Sequence, residues 1–197
     1  MALNINLKKS TKIVAAVLGV LTLIVLILIF VTTPKEQPQP GPTASPVAQL
    51  QLSQIPPGTA SESDVFAKLG QPLNTQPSGT AANILSYPSY NQYNPNEVTV
   101  ADGKVSFIRE RLYDAPDTSL KSRLRILGED YAQLYGPDSN SGVILFTYPE
   151  KGLAFFANPI GDVIFEVWYF PKGDLEQTLS LPEFADYSTQ EYYTEEL

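Results

Sequence analysis

The sequence predicts an α+β fold: two tandem helix–strand–strand–strand units sharing an antiparallel sheet layer, after an N-terminal transmembrane helix and a Pro-rich linker. Three observations carry this reading. Residues 13–31 form one apolar run unbroken by charge. Short helix cues ending at glycine and proline occur twice, and each is followed by β-branched and aromatic runs. Turn clusters separate those runs closely enough for antiparallel connections, which fits the layered α+β class.

Residues 1–12 hold Lys8, Lys9 and Lys12 and no acidic residue. From Ile13 to Val31 the chain reads IVAAVLGVLTLIVLILIFV. At about 1.5 Å per residue, that run makes a helix of roughly 28 Å, close to the hydrocarbon thickness of a bilayer. Beyond it Lys35 and Glu36 cancel. The positive-inside rule therefore predicts a single-pass plasma-membrane anchor, with a cytoplasmic N-terminus and the C-terminal domain outside. The run exceeds the roughly 7–15-residue core of a signal peptide, and Pro34 stands where cleavage would need small residues. Residues 32–54 read as a linker, because the seven prolines between positions 34 and 57 favour an extended, helix-incompatible chain.

The folded region is expected over residues 55–175, in units of about 55–113 and 118–172. In the first, the stretch from Ser63 to Leu69 reads as a helix ending at Gly70, with Pro72 beyond. In the second, Leu120 to Tyr135 reads as a helical stretch interrupted at Gly128 and stopped by Gly136 and Pro137. Ile84-Leu85-Ser86-Tyr87-Pro88 then matches Leu145-Phe146-Thr147-Tyr148-Pro149 in kind and order. Val98-Thr99-Val100 matches Leu153-Ala154-Phe155, and the runs opening at Gly103 and Gly161 match each other. Asp102-Gly103 is a hairpin signal of its own. Residues 176–197 are read as a solvated acidic tail, with five acidic and no basic residues after position 182.

Ile55-Pro56-Pro57-Gly58-Thr59, the helix end Lys68-Leu69-Gly70-Gln71-Pro72 and the strand opening Gly103-Lys104-Val105 carry a resemblance. The pattern resembles the tandem-repeat β-lactamase-inhibitor-protein fold and, within each unit, the BamE (SmpA) lipoprotein fold. The resemblance implies a protein-binding module without catalysis, acting in cell-envelope assembly or inhibitor-like sequestration. It names no partner, and the chain has no cysteine for disulfides or a lipid anchor.

The segment from Tyr87 to Asn96 mixes tyrosine, serine and amides with two prolines, the composition of an adaptable binding loop. In the last strand, Val163, Phe165, Val167 and Tyr169 alternate with Ile164, Glu166, Trp168 and Phe170. Both faces are thus largely apolar, so both are covered or one is open. Core packing is the ordinary outcome for Trp168, the only tryptophan, yet aromatic anchors also dominate interfaces. The expected partner contacts are Tyr87, Tyr90, Tyr93 and Trp168.

Beyond the apolar run the chain carries 10 basic against 21 acidic residues, a net charge of −11 that repels nucleic acid. With no histidine and no cysteine, the common triads and zinc sites lack their ligands, and no cofactor motif appears. The expectation is a non-enzymatic membrane-anchored module that binds a protein or envelope component. The alternatives are a cell-wall glycan hydrolase built on Glu97, Asp102, Glu110 or Glu166, and a passive self-associating subunit.

Overall fold

The computed structural model describes residues 51–79 and 81–191. The predicted cytoplasmic segment 1–12, the transmembrane run 13–31 and most of the linker lie outside the described residues. Among the described residues, no helix is long and apolar enough to cross a membrane.

Eight strands form one antiparallel sheet in the order β1-β2-β3-β4-β8-β7-β6-β5. They are β1 (Asn74–Ser78), β2 (Ala82–Tyr87), β3 (Asn96–Ala101), β4 (Lys104–Arg111), β5 (Ala132–Leu134), β6 (Ile144–Tyr148), β7 (Leu153–Asn158) and β8 (Val163–Tyr169). Helix α1 (Glu62–Leu69) precedes the first four strands and α2 (Leu120–Leu127) precedes the last four. A short α3 (Leu175–Leu179) follows β8. Within each half the strands meander, and β4 pairs with β8 to join the halves through Ile108↔Tyr169, Arg109↔Trp168, Glu110↔Val167 and Arg111↔Glu166.

The mixed helix-and-strand class and the shared antiparallel sheet match the expectation, but each half holds four strands instead of three. The sequence signal misses β1 because Asn-Thr-Gln-Pro-Ser is polar throughout and sits at an edge, where no face demands apolar alternation. It misses β5 because Ala132–Leu134 falls inside the stretch expected to be helical. The helix stops instead at Gly128, whose φ of 92° ends it while its amide donates to Leu124 O. The resemblance to the inhibitor and BamE folds is therefore corrected: the domain is one continuous eight-stranded sheet, not a pair of three-stranded units.

Helix α1 begins with a capping box in which Ser61 and Asp64 satisfy each other's backbone amides. Its Val65 packs with Leu52, Ile55, Leu85, Tyr87, Val98 and Ile108. Under α2, Leu120 packs with Phe146, Tyr148, Phe155, Ile164 and Val167. Alternation along the seam places Ile108, Glu110, Val167 and Tyr169 on this helical face, and Phe107, Arg109, Arg111, Glu166 and Trp168 on the other. Leu52 and Ile55 are buried, so the core already includes the end of the predicted linker.

The opposite face is covered by the segment read from sequence as an acidic tail. A second capping box, Asp174 with Gln177, starts α3. Phe184 follows in a 3-10 turn and is fully buried with Phe107, Trp168 and Phe170. The Tyr187 ring meets Trp168 edge-on at 5.7 Å, and Ser188 exchanges backbone hydrogen bonds with Tyr135 at 2.8 and 3.0 Å. Leu175, Leu179, Leu181, Phe184 and Tyr187 supply an apolar stripe that the acidic count concealed. The face of β8 bearing Trp168 and Phe170 is thus covered, while on the other face Ile164 packs beside Leu120 of α2 and Val167 and Tyr169 border an open groove.

Candidate binding cleft

Helices α1 and α2 are each eight residues long and each sits over its own half of the sheet. The seam between them stays uncovered and forms a cleft of about 700 Å³. Glu110, Val167 and Tyr169 of the seam, with Leu153 and Phe155 of β7, line its floor. One wall is Arg123, Ile126 and Leu127 of α2; Gln51, Ser53 and Tyr90 stand opposite.

The floor has one buried polar feature. Tyr169 Oη donates to Glu110 Oε2 at 2.7 Å. Burial pushes the Glu110 carboxyl above its ordinary value, against the lowering effects of the Tyr169 hydrogen bond and the nearby Arg123 guanidinium. Burial, helped by Glu110, likewise drives the Tyr169 phenol far up, so it stays the donor. Among the described residues, every ion pair within 4 Å lies on the other face, none at Glu110.

That other face holds a closed network. Arg111 reaches Glu166 Oε1 and Glu97 Oε1, each at 3.0 Å, and Arg109 lies 3.4 Å from both carboxylates. Trp168 Nε1 donates to Glu166 Oε2 at 2.7 Å, while the Arg109 guanidinium lies 5.2 Å from the Trp168 ring centroid. Of the carboxylates entertained for hydrolysis, Glu97 and Glu166 are thus held by arginines. Glu110 points to the opposite face, and Asp102 sits in the β3–β4 turn with φ 50°. The structure brings no two of them into one open site.

The predicted contact residues separate. Tyr87 is fully buried and its Oη donates to Gly70 O at 3.2 Å; burial raises its phenol to about 12. Trp168 is 3% exposed. Neither presents a surface, because β2 and β8 turn these rings into the two cores. Tyr90 lines the cleft at 37% exposure, and Tyr93 is 83% exposed beyond it. The loop amides are occupied internally: Asn96 Nδ2 donates to Pro88 O at 2.6 Å and Asn91 Nδ2 to Asp114 Oδ2 at 2.9 Å. They brace the loop instead of facing a partner.

Arg123 and Ile126 escaped the sequence reading, which named Glu110 only among possible hydrolytic carboxylates and Tyr169 only in the alternation of the last strand. One signal was present: along β4, Glu110 alternates with Arg109 and Arg111, so it sits alone on the face otherwise carrying Val105 and Ile108.

No family model and no curated protein matches the chain. Solved structures to which the chain is similar include two from bacteria. One is an extracellular protein containing an SCP domain from Bacillus anthracis str. Ames: 13% identity, 65% of this chain, 46% of that one, TM-score 0.43. The other is a cysteine-rich secretory protein from Staphylococcus aureus subsp. aureus Mu50: 9% identity, 69% of this chain, 52% of that one, TM-score 0.40. The chain thus spans about half the length of each.

Proposed function

We propose that this chain is a non-enzymatic binding module, held outside the cell by residues 13–31, which grips a segment of a protein or envelope component in the seam cleft. The single observation that supports this most is the cleft itself. It is concave, about 700 Å³ in volume and mainly apolar on its floor, with Tyr90, Arg123 and the Glu110–Tyr169 pair supplying polar groups. That combination is typical of recognition sites. A photo-crosslinking residue at Ile126 on the cleft wall should give an adduct of defined mass in intact cells. The same residue at Ile160, 89% exposed in the β7–β8 turn, should not. Equal labelling at both positions, or none at Ile126, refutes the reading.

A further inference from the structure

We infer, resting on that reading, that the cleft selects an extended polypeptide segment carrying a basic side chain, whose cationic end pairs with Glu110. Glu110 is the one carboxylate on the cleft floor, and Asp117 is a second at the rim. Glu97 and Glu166 each have two guanidinium groups within 3.4 Å; Glu110 has only the Tyr169 hydroxyl, and no lysine or arginine within 4 Å among the described residues. A carboxyl drawn out of water without a cation is costly, and an incoming ammonium or guanidinium removes that cost. Around it, Leu112, Leu127, Leu153, Phe155 and Val167 suit the methylene stem of such a side chain. The acidic balance beyond residue 31, 10 basic against 21 acidic, draws a basic partner toward it.

The groups facing Glu110 make the pairing pH-dependent. Tyr169 on β8 stays a donor, Asp117 adds negative charge, and Arg123 on α2 is exposed and competes with the incoming cation. Burial raises the Glu110 carboxyl, and a bound cation lowers it again. Binding therefore releases a proton, and affinity rises with pH through the value of the free cleft.

The test uses the full chain in lipid nanodiscs and three capped pentapeptides, with lysine, norleucine or glutamate between leucines. Methyl resonances of Ile126 and Leu127 report occupancy. The lysine peptide should bind at least about tenfold tighter than the norleucine one, the ratio one charge-assisted contact supplies, and the glutamate peptide weakest. Glu110→Gln should abolish that preference, and Arg123→Ala should enlarge it. A thermal midpoint of Glu110→Gln at or above that of the unaltered chain shows that folding is intact. Equal affinity for lysine and norleucine, or a preference that survives in Glu110→Gln, overturns the selectivity while leaving the cleft a binding site. If no peptide moves either resonance, the selectivity falls too, and the crosslink at Ile126 decides separately whether the cleft binds at all.

Discussion

Phe184→Ala distinguishes a C-terminal segment that covers the sheet from a solvated tail. The Phe184 ring is fully buried and meets Phe170 at 5.1 Å, Trp168 at 5.5 Å, and Phe107 and Tyr187 at 6.4 Å, all edge-on. Truncating a buried phenylalanine to alanine costs about 3–5 kcal/mol in lost transfer energy and cavity formation. Four aromatic partners, each contributing about 0.5–1.5 kcal/mol beyond area, keep this site off the lower end of that range. We take about 4 kcal/mol. For a folded region of this size each kcal/mol moves the midpoint by roughly 3–4 °C, so the expected fall is about 12–16 °C. Calorimetry or far-ultraviolet circular dichroism measures it directly. Asp186→Ala, an exposed change two residues on, serves as control and should move the midpoint by less than about 2 °C. A Phe184→Ala shift as small as that of the control would mean that the C-terminal segment does not cover the sheet.

Arg111→Met leaves Glu166 and Glu97 each short of a contact at 3.0 Å. With Glu166 8% and Arg111 18% exposed, we expect a loss of about 2 kcal/mol after discounting for solvent screening, read from urea denaturation. Arg109→Met, whose contacts are 3.4 Å, should cost about half as much. Tyr87→Ala should destabilise by about 3–5 kcal/mol through a core cavity. Tyr93→Ala should stay within about 0.5 kcal/mol, so a melting comparison distinguishes packing residue from surface residue. Glu110→Gln tests the raised carboxyl. A folded-state value above the unfolded one contributes stability that is complete below the ordinary glutamate value and lost as pH rises through the raised value. Glutamine does not titrate, so the midpoint of the variant should gain on the unaltered chain as pH rises above the ordinary glutamate value. A pH-independent gap would refute the assignment.

Much of the sheet was legible because its strands obey simple alternation. Val98 and Val100 in β3, and Leu145 with its neighbours in β6, announce buried faces, and Asp102-Gly103 announces the turn after β3. Helix α1 was legible from its glycine stop, though its cap at Ser61 was not read. What stayed hidden depends on contacts between distant residues. Nothing in Asn74–Ser78 marks a strand until β2 lies beside it. Nothing in the acidic C-terminus marks a cover until Phe107 and Trp168 offer Phe184 a surface. The tyrosines show the same limit: composition suggested a binding loop, but only the register of β2 decides that Tyr87 turns inward while Tyr90 reaches the cleft. Glu110 gained its significance from Tyr169, 59 positions away.

The seam also equips the protein with a built-in optical probe. Tyr169 faces the cleft while the adjoining indole, the single one in the chain, points to the far side of the sheet. Consecutive in β8, they put the fluorophore on the face away from the cleft, where an occupant of the cleft does not touch it. A change in its emission on adding a cleft-binding peptide would therefore report a movement of β8 itself. Soluble quenchers are kept away by the C-terminal cover.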